Sequence, residues 1–80
     1  MAGLRIHTRK LGRERALGQA WADRGLVEVD SRLAGKARLN VLLHEIIHCI
    51  FPEMSEEEVN RVAEIQCETL WKDRYRRIEK

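Results

Sequence analysis

Val41-Leu42-Leu43-His44-Glu45-Ile46-Ile47-His48-Cys49-Ile50 is the stretch around which the rest of the chain arranges itself. With Leu39, the residues Leu42, Leu43, Ile46, Ile47 and Ile50 fall on one broad arc of a helical wheel, the pattern of a helix with one buried side. His44 and His48 stand four residues apart, so a helix turns both imidazoles to one side, where two nitrogens can grip one zinc ion. Glu45 is then adjacent to the metal. A carboxylate there can take a proton from a zinc-bound water and later pass it to a leaving amine, the division of labour in metal-assisted peptide hydrolysis. With three His and ten Glu in 80 residues, roughly one shuffled chain in a hundred would contain H-E-x-x-H. The motif alone is uncommon rather than decisive, and its competing reading is two ordinary histidines on the polar side of an amphipathic helix.

Working outward, this helix is expected from about residue 38 to 51, entered from the polar connection Asp30-Ser31-Arg32-Leu33-Ala34-Gly35-Lys36 and stopped by Pro52, which disfavours helical geometry in the residue before it. Ser55-Glu56-Glu57-Glu58 then reads as a capping box, with three carboxylates favourably placed in a first helical turn. Val59, Val62, Ala63, Cys67 and Leu70 recur at helical spacing, giving a second helix over about 56–74 and a basic tail over 75–80. Because the link between the two helices is short, they should fold back as an antiparallel pair.

Upstream the periodicity changes. Leu4-Arg5-Ile6-His7 alternates apolar and polar residues and suits a short strand with His7 on its wet side. Gly12 and Arg13-Glu14-Arg15 punctuate the chain. The Asp23-Arg24-Gly25 turn separates Ala16–Ala22 from Leu26–Asp30, which is richer in β-branched residues; this is the signature of a hairpin, preferred over a helix across Leu17–Ala22 because the turn demands a partner for Leu26–Val29. The expected class is therefore α+β: one domain over residues 1–80, with a small antiparallel sheet (the N-terminal strand plus the hairpin, about 4–30) packed on the helix pair. A sheet edge beside the metal helix could accept an extended peptide as an added strand.

A catalytic zinc takes three protein ligands and keeps a position open, so a third must be found. On the wheel of the second helix, Glu56 borders the apolar arc in the turn nearest His48, and a carboxylate at a buried edge needs a partner. Glu57, Glu64 and Glu53 remain alternatives. Asn60, one turn on, could orient a ligand. Cys49 points about 100° away from His48 and is a poor ligand; with no CxxC pair, it and Cys67 read as buried free thiols.

Fifteen basic residues nearly balance thirteen acidic ones, for a formal charge of +2, which does not announce nucleic acid. The basic residues cluster at the two ends, without aromatic or glycine-rich recognition patterns beside them, and the second helix begins acidic. No apolar run approaches membrane-spanning length and no secretory core segment is evident, so a cytoplasmic location is expected. So small a domain could pair with a second copy to cover a partly apolar sheet.

His44-Glu45-Ile46-Ile47-His48, with a glutamate on a following helix, resembles the gluzincin branch of zinc metallopeptidases. In that branch the downstream pattern is Glu, two residues, a small residue, then Asp or Asn. Here it reads Glu56-Glu57-Glu58-Val59-Asn60, with Val59 at the small position. The layout from Gly18 to Trp71 also looks like the very small zincin-like proteins encoded by tailed phages and prophages. The resemblance implies a minimal zincin, working on a peptide or protein substrate in a bacterial host cell. His44, His48 and Glu56 would hold Zn2+ and Glu45 would be the general base, with His7, Tyr75 or an Arg as candidates to stabilise an oxyanion. The alternative function is a catalytically silent, metal-stabilised phage interaction module whose fourth coordination position is filled by Cys, Glu or a partner chain.

Overall fold

A computed structural model describes residues 3–12 and 16–78; the Arg13-Glu14-Arg15 punctuation and the last two residues of the basic tail lie outside the described residues. Strands β1 (Arg5–Arg9), β2 (Gly18–Trp21) and β3 (Leu26–Asp30) precede helices α1 (Gly35–Ile50) and α2 (Glu56–Lys72). The fold is a three-stranded sheet on two helices, α+β as the sequence predicts. Between β2 and β3, Ala22–Arg24 make one 3-10 turn and Gly25 adopts φ 59°, a left-handed conformation that costs a residue without a Cβ nothing.

The sheet is mixed rather than purely antiparallel. Its order is β1-β3-β2: the hairpin partners β2 and β3 run antiparallel, whereas β1 runs parallel to β3, with Ile6 beside Val27 and Thr8 beside Val29. The geometry of the link explains the departure. When β1 runs parallel to β3 it ends at the same end of β3 where β2 begins, so only a short crossing need join them. An antiparallel β1 would finish at the opposite end of the sheet and demand a return along its whole length. Leu11 sits in this crossing fully buried, its amide donating to the Asp30 Oδ2 at 3.1 Å.

β3 takes the centre because it is the strand that can be buried on both faces, and all five of its residues are buried. Val27 and Val29 face the helices. Glu28 and Asp30, on the phase that pattern alone would leave wet, are buried with partners. Glu28 receives the Arg9 Nε at 2.5 Å and the Trp21 Nε1 at 3.1 Å. Asp30 receives two guanidinium nitrogens and the backbone amide of Arg32 at 2.7 to 2.9 Å. Buried charge requires such pairing.

That Arg32 guanidinium, with the Arg32 and Leu11 amides, holds the Asp30 carboxyl far below the ordinary carboxylate range against the opposing effect of burial. In the unfolded chain an aspartate titrates near about 3.9. Stabilisation from Asp30 is therefore complete above that pH and drains away as pH falls from about 4 through the lower native value. Asp30→Asn should lower the melting temperature at neutral pH and flatten the acid decline between about pH 4 and 2. Thermal melts across that range in the presence of a chelator check this; an unchanged acid limb in the variant would show that Asp30 does not carry it.

The helices run antiparallel, since Lys36 pairs with Glu68 at one end while His48 meets Glu56 at the other. Their shared core is Ile47, Val59 and Ala63, flanked by Leu43, Met54 and Val62. Val59 is fully buried there. α1 begins at Gly35, ahead of the expected start, and α2 stops at Lys72, short of residue 74. Arg74 turns to φ 65° and the Tyr75 amide donates back to the Leu70 carbonyl, a closing motif usually built on glycine. The tail then returns, with the Arg76 guanidinium 3.4 Å above the Trp71 ring. No helix among the described residues is long and apolar enough to cross a membrane.

Candidate metal centre

Each donor is positioned by a local rule already visible in the chain. The four-residue step on α1 brings the His44 and His48 rings edge to face, with centroids 4.7 Å apart and their Nε2 atoms 3.1 Å apart. Pro52 ends α1, and the Ser55 hydroxyl starts α2 by accepting the Glu58 amide at 3.2 Å. The loop between is so short that the first residue of α2, Glu56, lands beside the imidazoles. Its Oε1 lies 2.7 Å from His44 Nε2 and its Oε2 lies 3.0 Å from His48 Nε2. One ligand atom from each of the three residues lies within 4.8 Å of the others, a group that could hold a metal ion.

The histidines do not occupy a wet side of the helix. Their side chains keep 19% and 24% exposure, because the first turns of α2 close over them, while Glu56 stays 65% exposed. Donors are thus held firmly on one side and open to solvent on the other.

Glu45 is not one of the three donors, and its side chain lies against Gly18 of the sheet. Burial pushes its carboxyl above the ordinary carboxylate value, with His44 and His48 drawing it partly back. What lets it fit is Gly18: a Cβ there would stand 2.7 Å from Val41 Cγ1, 2.8 Å from Glu45 Cγ and 3.1 Å from Glu45 Oε2. The constraint is space. Gly18→Ala should cost about 1–3 kcal/mol through overpacking and force Glu45 to move, whereas the donors on α1 and α2 are untouched. Melting temperature should fall while metal stoichiometry stays at the wild-type value. A variant with wild-type stability would mean that the strand slides to make room.

An open cleft of about 450 Å³ begins at His44 and Glu45 and is lined by Leu17 and Gly18 of the β2 side, Asn40 and Val41 of α1, and Asn60 and Glu64 of α2. Asn60 lines this cleft instead of hydrogen-bonding a donor, and Glu64 is outside the donor group. Glu57 is exposed, and Glu53 lies in the loop beside Ile50 and Phe51. Sequence reasoning missed Asn40 and Gly18. Asn40 precedes His44 by four residues, so it shares the donor stripe, and an isolated glycine in a strand marks close backbone approach; both signals were present.

Other candidates fall elsewhere. His7 pairs in register with Glu28 and so projects from the face opposite Val27 and Val29, away from the helices. Tyr75 lies beyond the far end of α2. The Cys49 thiol donates to the Leu26 carbonyl at 3.4 Å and the Cys67 thiol to the Lys36 carbonyl at 3.7 Å. Burial raises both thiols above their ordinary value, so they remain protonated and make no donor set with the histidines.

No protein-family model, curated protein or solved structure matches the chain.

Proposed function

We propose that this chain is a zinc-dependent hydrolase of the metallopeptidase type, with His44, His48 and Glu56 as the metal ligands and Glu45 as the general base. The observation that carries the reading is the meeting of three convergent donors with one carboxylate left out of them, at the end of an open cleft. The donor set suits zinc: two imidazoles and a carboxylate are the composition of a catalytic site that keeps one position open. One tetrahedral ion at about 2.0–2.1 Å from each nitrogen would set the two nitrogens roughly 3.3 Å apart, close to the 3.1 Å between the Nε2 atoms.

Bound there, zinc supplies Lewis acidity toward water and a substrate carbonyl. The chain's own groups do the rest. Glu45, unencumbered by the ion, accepts a proton from the attacking water and returns it to the leaving amine. Asn40 and Asn60 offer neutral amide donors within the cleft, in place of the remote His7 and Tyr75. β2 is an edge strand. Since the Asp30 amide donates to the Leu17 carbonyl, the alternation of an antiparallel ladder turns the amide and carbonyl of Gly18 and Ala20 outward. An extended peptide pairing with that edge would lie along the cleft past Glu45.

The test is zinc-loaded protein incubated with an unstructured polypeptide, with fragments identified by mass spectrometry and a chelated control. Metal-dependent fragments are expected. Stoichiometric zinc with no cleavage of any unstructured substrate would overturn the reading. It would leave the silent interaction module, which draws on the exposed Ile50 and Phe51, 56% and 54% accessible, next to the site.

A further inference from the structure

The cleft beside the donors is chemically lopsided. Leu17, 54% exposed, and Val41 give one wall an apolar character, whereas α2 contributes the Asn60 amide and the Glu64 carboxylate. Glu64 has no ion-pair or hydrogen-bond partner among the described residues. Lys36, in the adjoining depression of about 240 Å³ that Glu64 also lines, is already paired with Glu68. Nor can Glu64 reach the ion. It stands two helical turns from Glu56, roughly 12 Å along α2, outside the donor group.

A carboxylate at the rim of a cleft with one apolar wall matches a long cationic side chain. The stem of a Lys or Arg can lie on Leu17 and Val41 while its head reaches Glu64, keeping contact with solvent. Taking the hydrolase reading as its premise, we infer that the cleft selects peptides with a Lys or Arg near the scissile bond, Glu64 receiving the cationic head. Given roughly 3.3 Å per extended residue and the reach of the side chain itself, the basic residue falls about one to three positions from that bond.

The experiment uses the zinc-loaded full chain and a set of otherwise identical flexible peptides, each carrying a single Arg or Glu at one of three positions on either side of the cleavage site. Competing peptides are quantified by mass spectrometry. An Arg-over-Glu preference of about fivefold is expected at one position, the size that a partly solvated ion pair supports. Glu64→Gln should bring the ratio toward one and Glu64→Lys should invert it. A ratio near one at every position in the wild type, or a preference that survives both substitutions, overturns the inference with the hydrolase reading intact. Calorimetric titration of the same peptides separates the two claims without turnover. Tighter binding of Arg peptides that depends on Glu64, with no cleavage, sinks the hydrolase and keeps the subsite; equal binding of Arg and Glu peptides sinks the subsite whether or not cleavage occurs. Glu64 is exposed, so both variants should fold, and unchanged zinc content verifies that the site is assembled.

Discussion

Glu45→Gln should abolish nearly all of the proposed peptide cleavage, by roughly two to four orders of magnitude, while metal binding is retained. The two halves of this result have separate structural causes. Metal affinity is expected from His44, His48 and Glu56, whose ligand atoms converge without Glu45. The proposed proton transfer depends on a carboxylate packed beside Gly18 at the cleft, and glutamine keeps its shape while losing its basicity. Cleavage rates from peptide assays, set against metal content per chain, give both readings at once. Retained cleavage would place the base elsewhere, and loss of metal would make Glu45 a ligand.

His48→Ala should remove metal-dependent stability altogether. An ion that binds the folded chain alone, present at about a thousand times its dissociation constant, stabilises by about 4 kcal/mol. In a domain of this size that corresponds to an upward shift of the melting temperature of roughly 15–30 °C. The wild-type protein should show such a shift between chelated and zinc-replete samples, and His48→Ala should show none, because a His and a Glu alone make a weak site. Glu56→Ala should retain part of the shift, since both imidazoles survive on α1. Calorimetric scans with and without zinc decide the matter. An equal shift in His48→Ala would mean that the ion binds somewhere other than at this group.

The helices were legible because their signals are local. Leu39, Leu42, Leu43, Ile46, Ile47 and Ile50 trace one arc, Pro52 ends it, and Ser55 caps the next helix. The Asp23-Arg24-Gly25 turn announced the hairpin equally well. The direction of β1 was not legible, since Leu4–His7 says strand without saying beside which neighbour or which way. The burial of Glu28 was not legible either, since strand pairing brings Arg9 and Trp21 to it, whereas Asp30 meets Arg32 only two residues along the chain. At the site, facing arguments on a wheel singled out Glu56 among several glutamates, and the structure sets it beside the histidines. The cleft is different in kind. It is assembled from three elements, so Asn40 and Gly18 acquire their neighbours only once the strand and both helices have docked.

The donors lie within thirteen consecutive residues, His44 to Glu56, whereas Gly18 comes to Glu45 from twenty-seven positions upstream. Closing the first loop costs little chain entropy and closing the second costs more. The convergence of the donor group thus rests on the pairing of α1 with α2, whereas the seating of Glu45 rests on the docked sheet. Lesions confined to the strands should then yield molecules that hold their ion faithfully yet have nothing against which to aim the base.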